Sequence, residues 1–146
     1  MATFIKSSII HAPVERVFEF HEREDAFELL SPPFPPARVI SRSDGINPGS
    51  RVVLKVGPIK WVALHGDYQR NKLFIDEQVS GPFARWVHRH EFERLDGQST
   101  RLTDRIVFEL RGGWMVTACL GWAIKLGLRS MFRYRHRVTR QHCESA

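Results

Sequence analysis

Two neighbouring stretches of this chain alternate in phase, and that alternation limits the fold more than any other feature. In Arg85–Arg94 the even positions are Trp86, His88, His90 and Phe92, and the odd ones are mostly charged: Arg85, Val87, Arg89, Glu91 and Glu93. In Arg101–Leu110 the even positions are Leu102, Asp104, Ile106, Phe108 and Leu110, against Arg101, Thr103, Arg105, Val107 and Glu109. A strand turns successive side chains to opposite faces, so each segment reads as a strand with an inner and a solvated face. Across the Asp96-Gly97 turn they form a hairpin, in which opposed residues must share a face. A two-residue turn sets Phe92 against Arg101 and breaks that rule. A three-residue loop, Asp96-Gly97-Gln98, opposes Phe92 to Leu102, His90 to Asp104, His88 to Ile106 and Trp86 to Phe108. A carboxylate and an imidazole then face each other on the inner side, with β-carbons about 5 Å apart.

Asp104 cannot be buried alone without a large desolvation cost, so a partner is physically required. Two readings of the His90–Asp104 pair follow. It is either a self-satisfied structural pair, or the polar end of an apolar cavity with His90 oriented for hydrogen bonding or proton transfer. His88 and His90 also form two metal-type ligands at strand spacing, and His65 adds a third if Trp61, Ala63 and His65 share the inner face. A His-x-His pair on a strand is too unspecific to assign a metal, and none is assigned.

The rest of the chain reads as elements around this hairpin. Thr3–Ile10 is a strand, and Ala12-Pro13 opens a short helix with a Val14, Val17, Phe18 stripe. A second helical piece covers Asp25–Leu30 and ends at Ser31-Pro-Pro-Phe-Pro-Pro36, an extended crossing loop holding four of the eight prolines. Further strands are expected at Ala37–Ser43, Arg51–Val56, Lys60–Tyr68 and Leu73–Val79. In the last of these either Glu77 or the set Phe74, Asp76, Gln78 points inward. After Gly112-Gly113 the alternation stops, and a helix is expected from Trp114 to Arg140.

One strand, two short helices, six strands and a long terminal helix is the order of an α+β helix-grip fold: a curved seven-stranded antiparallel sheet around a C-terminal helix. The chain also resembles the START and polyketide cyclase/dehydrase-like superfamily (SRPBCC), which includes carriers of the birch-pollen-allergen type. The residues that carry the resemblance are Ala12-Pro13 with Val17-Phe18, Asp76-Glu77-Gln78, Gly81-Pro82-Phe83, the alternating Trp86, His88, His90, Phe92, then Thr103-Asp104-Arg105 and Phe132-Arg133-Tyr134-Arg135. The resemblance implies a single domain over 1–146 that binds a small hydrophobic molecule of lipid, polyketide or aromatic type between sheet and helix. Its expected lining is Trp86, His88, His90, Phe92, Ile106, Phe108, Leu120, Ile124 and Met131. It equally implies a cyclase or dehydratase in which His90 and Asp104 are catalytic. No cofactor is implied, because no phosphate loop, nucleophile elbow or dinucleotide fingerprint is present.

Net charge is +6 from 22 basic and 16 acidic residues, but its placement matters more than its size. Met1–Gly113 is nearly neutral, and from Trp114 onward there are six basic residues against Glu144 alone. On the terminal helix, Val116, Leu120, Ile124, Gly127, Met131, Tyr134 and Val138 form the stripe expected to face the sheet. The opposite side carries Met115, Cys119, Trp122 and Leu126, then Lys125, Arg129, Arg133, Arg137 and Arg140. Loops from the short helices, a homodimer partner or a membrane surface could cover that apolar half, and a peripheral membrane adaptor is a third reading of function. Nucleic acid is not an expected partner, since the basic residues lack interleaved stacking aromatics. Cys119 and Cys143 would lie about 36 Å apart on one helix, too far for a disulfide. The N-terminus lacks the apolar run of a signal peptide, and Gly112–Ile124 is too short to cross a bilayer, so a cytoplasmic location is expected.

Overall fold

A computed structural model describes residues 1–34 and 36–144. Pro35 of the proline-rich crossing loop, and the last two residues of the expected 1–146 domain, lie outside the described residues. The elements follow the expected order: β1 (Ala2–Ile10), α1 (Val14–Glu22), α2 (Ala26–Leu30), β2 (Ala37–Arg42), β3 (Arg51–Val56), β4 (Ile59–Gln69), β5 (Leu73–Ser80), β6 (Arg85–Asp96), β7 (Ser99–Glu109) and α3 (Trp114–Glu144). The seven strands make one antiparallel sheet in the order β1-β7-β6-β5-β4-β3-β2, the helix-grip arrangement.

The β6–β7 register pairs Phe92 with Leu102, His90 with Asp104, His88 with Ile106 and Trp86 with Phe108. The turn that sets it is tighter than the expected three-residue loop. Asp96 pairs with Ser99 across Gly97-Gln98, and an irregularity between Arg94 and Asp96 returns the strands to even-with-even pairing. A bulge adds one residue to one strand, so a two-residue turn plus a bulge does the work of a three-residue loop. Asp96 Oδ1 holds the turn by accepting from the Gln98 backbone N–H (2.8 Å) and the Ser99 hydroxyl (2.7 Å). On the outer face Arg101 pairs with Glu93 and Arg105 with Glu91, as expected of a solvated surface.

The inner face is built in three layers. One apolar cluster joins Val14, Val17 and Phe18 of α1 to Phe74, Phe92, Leu102 and the end of α3 at Val138 and Cys143. A second gathers Phe4, Ile106, Phe108, Leu128 and Phe132. Between them, β1, β7, β6 and α3 each contribute a buried polar residue in place of an apolar one: Ser8, Asp104, His88 with His90, and His136.

Helix α3 packs with a different face from the expected stripe. Its buried positions include Thr117, Gly121, Leu128, Phe132, His136, Val138, Thr139 and Cys143, whereas Leu120 is exposed and a side chain at Gly127 would meet open space. The helix is rotated by roughly a quarter turn from the purely hydrophobic reading. The polar groups Thr117 and His136 carry that rotation. Thr117 Oγ1 accepts from the Leu110 backbone N–H (2.9 Å) and donates to the Gly113 carbonyl (3.0 Å), locking the helix start onto the end of β7. The link itself needs Gly112. Its φ is +104°, and a β-carbon there would lie 2.7 Å from a Val116 methyl.

Candidate functional site

The polar layer forms a continuous chain of contacts centred on Asp104. Both its oxygens are occupied: His88 Nε2 donates to Oδ1 (2.8 Å) and His136 Nε2 to Oδ2 (2.6 Å). His136 extends the chain through its Nδ1, hydrogen-bonded to the Ser8 hydroxyl at 2.7 Å. His90 Nε2 donates to Asp76 Oδ2 (2.9 Å), while its Nδ1 lies 3.2 Å from Asp104 Oδ1, in ionic contact but off the line of a proper hydrogen bond. The opposition of His90 to Asp104 is therefore in place, but the direct hydrogen bonds to Asp104 come from His88 and His136. Phe74 stacks on His90 with ring centroids 3.9 Å apart, and the His88 and His90 rings stack at 3.6 Å. Of the two candidate sets on β5, Phe74 and Asp76 point inward and Glu77 is exposed.

Burial and charge divide the titration of these groups. Burial pushes Asp104 up, but the hydrogen bonds from His136 and His88 and the close contact of His90 outweigh it and hold the carboxyl well below its ordinary range. Burial likewise opposes ionisation of Asp76, and the His90 hydrogen bond with the neighbouring imidazoles brings it down to about 2. His90 is pulled down by desolvation, yet hydrogen bonds and charge from Asp104 and Asp76 leave its pKa raised. His88 is lowered, by burial first and then by the charge on His90. Of the stacked pair, His90 between two carboxylates therefore holds a proton more readily than His88.

These residues wall a cavity of about 270 Å³ between the sheet, α2 and α3. Its apolar surface comes from Val52, Leu54, Ala63, Trp61, Trp86 and Met131, and its polar side from His65, Asp76, His88, His90 and Arg135. His65 stands on the inner face and is buried, with Nδ1 lacking a hydrogen-bond partner among the described residues; burial lowers its pKa. The Arg135 guanidinium lies 5.3 Å from the Phe132 ring centroid and makes no hydrogen bond or ion pair with described residues. Burial lowers its pKa, Asp104 and Asp76 oppose this, and the group remains a cation.

Of the expected lining residues, Trp86, His88, His90 and Met131 reach the cavity. Phe92 is packed in the first apolar cluster, Ile106 and Phe108 in the second with Ile124 against them, and Leu120 is 53% exposed. The sequence reading missed Ser8, His136 and Arg135. His136 lies one helical turn beyond Phe132, a signal readable only once the inward face of α3 is known. Asp76, His88 and His90 offer ligand atoms all within 4.8 Å of one another, a spacing a small cation could bridge. His65 does not complete that group, and each of the three is tied by a hydrogen bond to the polar layer. Both cysteines are free.

A long helix held by an antiparallel sheet, with a polar-ended cavity between them, defines a helix-grip ligand-cavity domain. The chain belongs to the family described as "Polyketide cyclase / dehydrase and lipid transport", whose sequence profile matches residues 10–134. Among solved structures it is similar to part of a nucleoside-diphosphate sugar epimerase from Corynebacterium glutamicum, at 26% identity and TM-score 0.73 over 94% of this chain. The chain spans only 28% of that protein's length. It is also similar to the Zhui aromatase/cyclase from Streptomyces (12% identity, TM-score 0.73, covering 98% of this chain and 93% of that one). A START superfamily protein from Mycobacterium smegmatis matches at 14% identity and TM-score 0.69, over 97% of both chains. No curated protein matches the sequence. Among the described residues no helix is long and apolar enough to cross a membrane.

Proposed function

We propose that this chain binds a small hydrophobic molecule with polar oxygen substituents in the cavity between sheet and α3. The observation that carries the reading is the composition of the cavity wall: apolar over most of its surface, with Arg135 and His65 on the polar side holding unused hydrogen-bonding capacity. Unpaired polar groups in a recessed, largely apolar site favour a ligand that pairs them. The volume of about 270 Å³ is at the small end of ligand pockets, which suits a ring system or short chain better than a two-chain lipid. Trp86, His88, His90 and Met131 are the proposed contacts from the original set, joined by Ala63, His65 and Arg135. Native mass spectrometry of freshly purified protein should show a retained small-molecule adduct that Met131→Trp, which fills the cavity, removes. A wild-type chain with no adduct and no uptake of the probe 1-anilinonaphthalene-8-sulfonate would count against the reading.

A second reading is enzymatic, favoured by His90 facing the cavity as a proton donor between two carboxylates. In a cyclisation or dehydration, His90 would turn its Nε2 proton from Asp76 to a carbonyl or leaving hydroxyl oxygen and transfer it there, with Asp104 holding the opposite edge of the ring. With a poly-β-ketone substrate, His90→Gln should then lose turnover while keeping affinity. A pure carrier shows no turnover in either form.

A further inference from the structure

Nothing among the described residues covers the outer side of α3. Trp122 is 63% exposed, Met115 61% and Leu126 52%, with Cys119 exposed among them. One turn further, the same side carries Arg129 and Arg133, both exposed and without a hydrogen bond, ion pair or ring contact among the described residues, followed by Arg137 and Arg140. No acidic residue occurs between Trp114 and Cys143. Buried and exposed positions agree: at 100° per residue Met115, Cys119, Trp122, Leu126, Arg129, Arg133, Arg137 and Arg140 lie within about 80° of arc, opposite the face that meets the sheet. Among the described residues neither the short helices nor their loops cover this side, and the cavity lies on the other.

We propose that this face of α3 docks on an anionic lipid surface, with the helix lying in the interfacial plane. The inference is independent of the cavity reading. Trp122, Met115 and Leu126 enter the boundary between headgroups and acyl chains, where an indole ring is well accommodated, and the arginines pair with anionic headgroups. Charge decides against a second copy of the chain as occupant. A parallel self-contact along this stripe sets four arginines against four, and the helix's one acid, Glu144 at its last position, already accepts from the His11 backbone N–H. An antiparallel contact buries those arginines against the apolar half of the partner, unpaired. Anionic lipid supplies both the apolar boundary and the counter-charge.

The test is co-sedimentation of the full chain with vesicles of phosphatidylcholine alone or mixed with phosphatidylserine, at low and high salt, alongside sedimentation velocity without lipid. The expected result is a monomer that binds the mixed vesicles at low salt, with a blue shift of tryptophan emission, and is released by high salt. Arg129→Gln with Arg133→Gln should lower the partition coefficient roughly fivefold per arginine, about 25-fold together. Trp122→Glu should abolish binding. Because that side chain touches solvent, circular dichroism should show an unchanged fold. Failure of the wild-type chain to bind mixed vesicles at low salt overturns the proposal. So does binding that Trp122→Glu leaves intact, or a dimer without lipid that Trp122→Glu dissociates, which would assign the face to a second copy.

Discussion

Replacing Asp104 by Asn tests whether the polar layer acts as one electrostatic unit. The amide has the shape of the carboxyl group but presents one acceptor and one donor, and no charge. Asp104 now accepts from His88 at Oδ1 and from His136 at Oδ2, with His90 Nδ1 3.2 Å from Oδ1. Whichever oxygen becomes NH2, it meets an imidazole N–H in a site that is 3% exposed, where water cannot intervene. One hydrogen bond to a charged group is lost, about 1.5–3 kcal/mol. His90 also loses one of its two carboxylate neighbours, which brings the total to about 3 kcal/mol, the lower end for breaking a buried ion pair. For a chain of this size that corresponds to a fall in Tm of about 6–12 °C. Ser8→Ala removes only the outermost hydrogen bond, to His136, and should cost about 1 kcal/mol.

The pH dependence gives the second readout. A raised His90 pKa means its contribution is complete below the unfolded value of 6.5 and is lost as pH rises through the folded value. The stability gap between wild type and Asp104→Asn should therefore narrow toward alkaline pH. NMR titration of the His90 ring should place its pKa lower in the variant. A Tm change under 2 °C, together with an unmoved His90 titration, would refute the argument that Asp104 anchors this layer.

Other consequences are separable. His21 is buried and its pKa is lowered from 6.5 to about 3, by desolvation first, against the Val17 carbonyl it bonds at 2.8 Å. A depressed folded pKa keeps its full contribution above pH 6.5 and loses it as pH falls toward 3. Urea unfolding at pH 7 and pH 4 should differ by roughly 3 kcal/mol from this group alone, a difference that His21→Met largely removes. Gly112→Ala, at φ +104° with its new methyl 2.7 Å from Val116, should cost at least about 1–2 kcal/mol in thermal melts. Gly127→Ala enters open space in mid-helix and should stabilise by up to about 1 kcal/mol.

What could be read before the structure, and what could not, follows from the range of the forces involved. The β6–β7 register is a local problem, because period-two alternation and one turn decide which side chains share a face. The expected pairing of His90 with Asp104 therefore stands, although the turn reaches it through a bulge rather than a third loop residue. On β5 the set Leu73, Ile75, Val79 with Glu77 is the more apolar, yet Phe74 and Asp76 point inward, because the β4 and β6 neighbours decide: Asp76 stands beside His65 on one side and His88 on the other. The face of α3 is decided less locally still. Its hydrophobic stripe pointed to Leu120 and Gly127, whereas the helix buries His136 because Asp104, 32 residues earlier in the chain, needs a second donor. An unpaired buried carboxylate costs more than exposing one leucine, so polar satisfaction outweighs apolar area in setting the rotation. Met115, Trp122 and Leu126 face outward in either rotation, and the observed one adds Leu120 to the exposed residues. If that ordering of energies is right, Asp104→Leu combined with His136→Leu should keep the helix docked, since an apolar layer of similar volume can replace a buried polar one. His136→Leu alone should be markedly worse, by about 1–3 kcal/mol, because it leaves an Asp104 oxygen without its donor. A double variant no more stable than the single one, measured by urea unfolding, would show instead that the apolar contacts of α3 set its rotation.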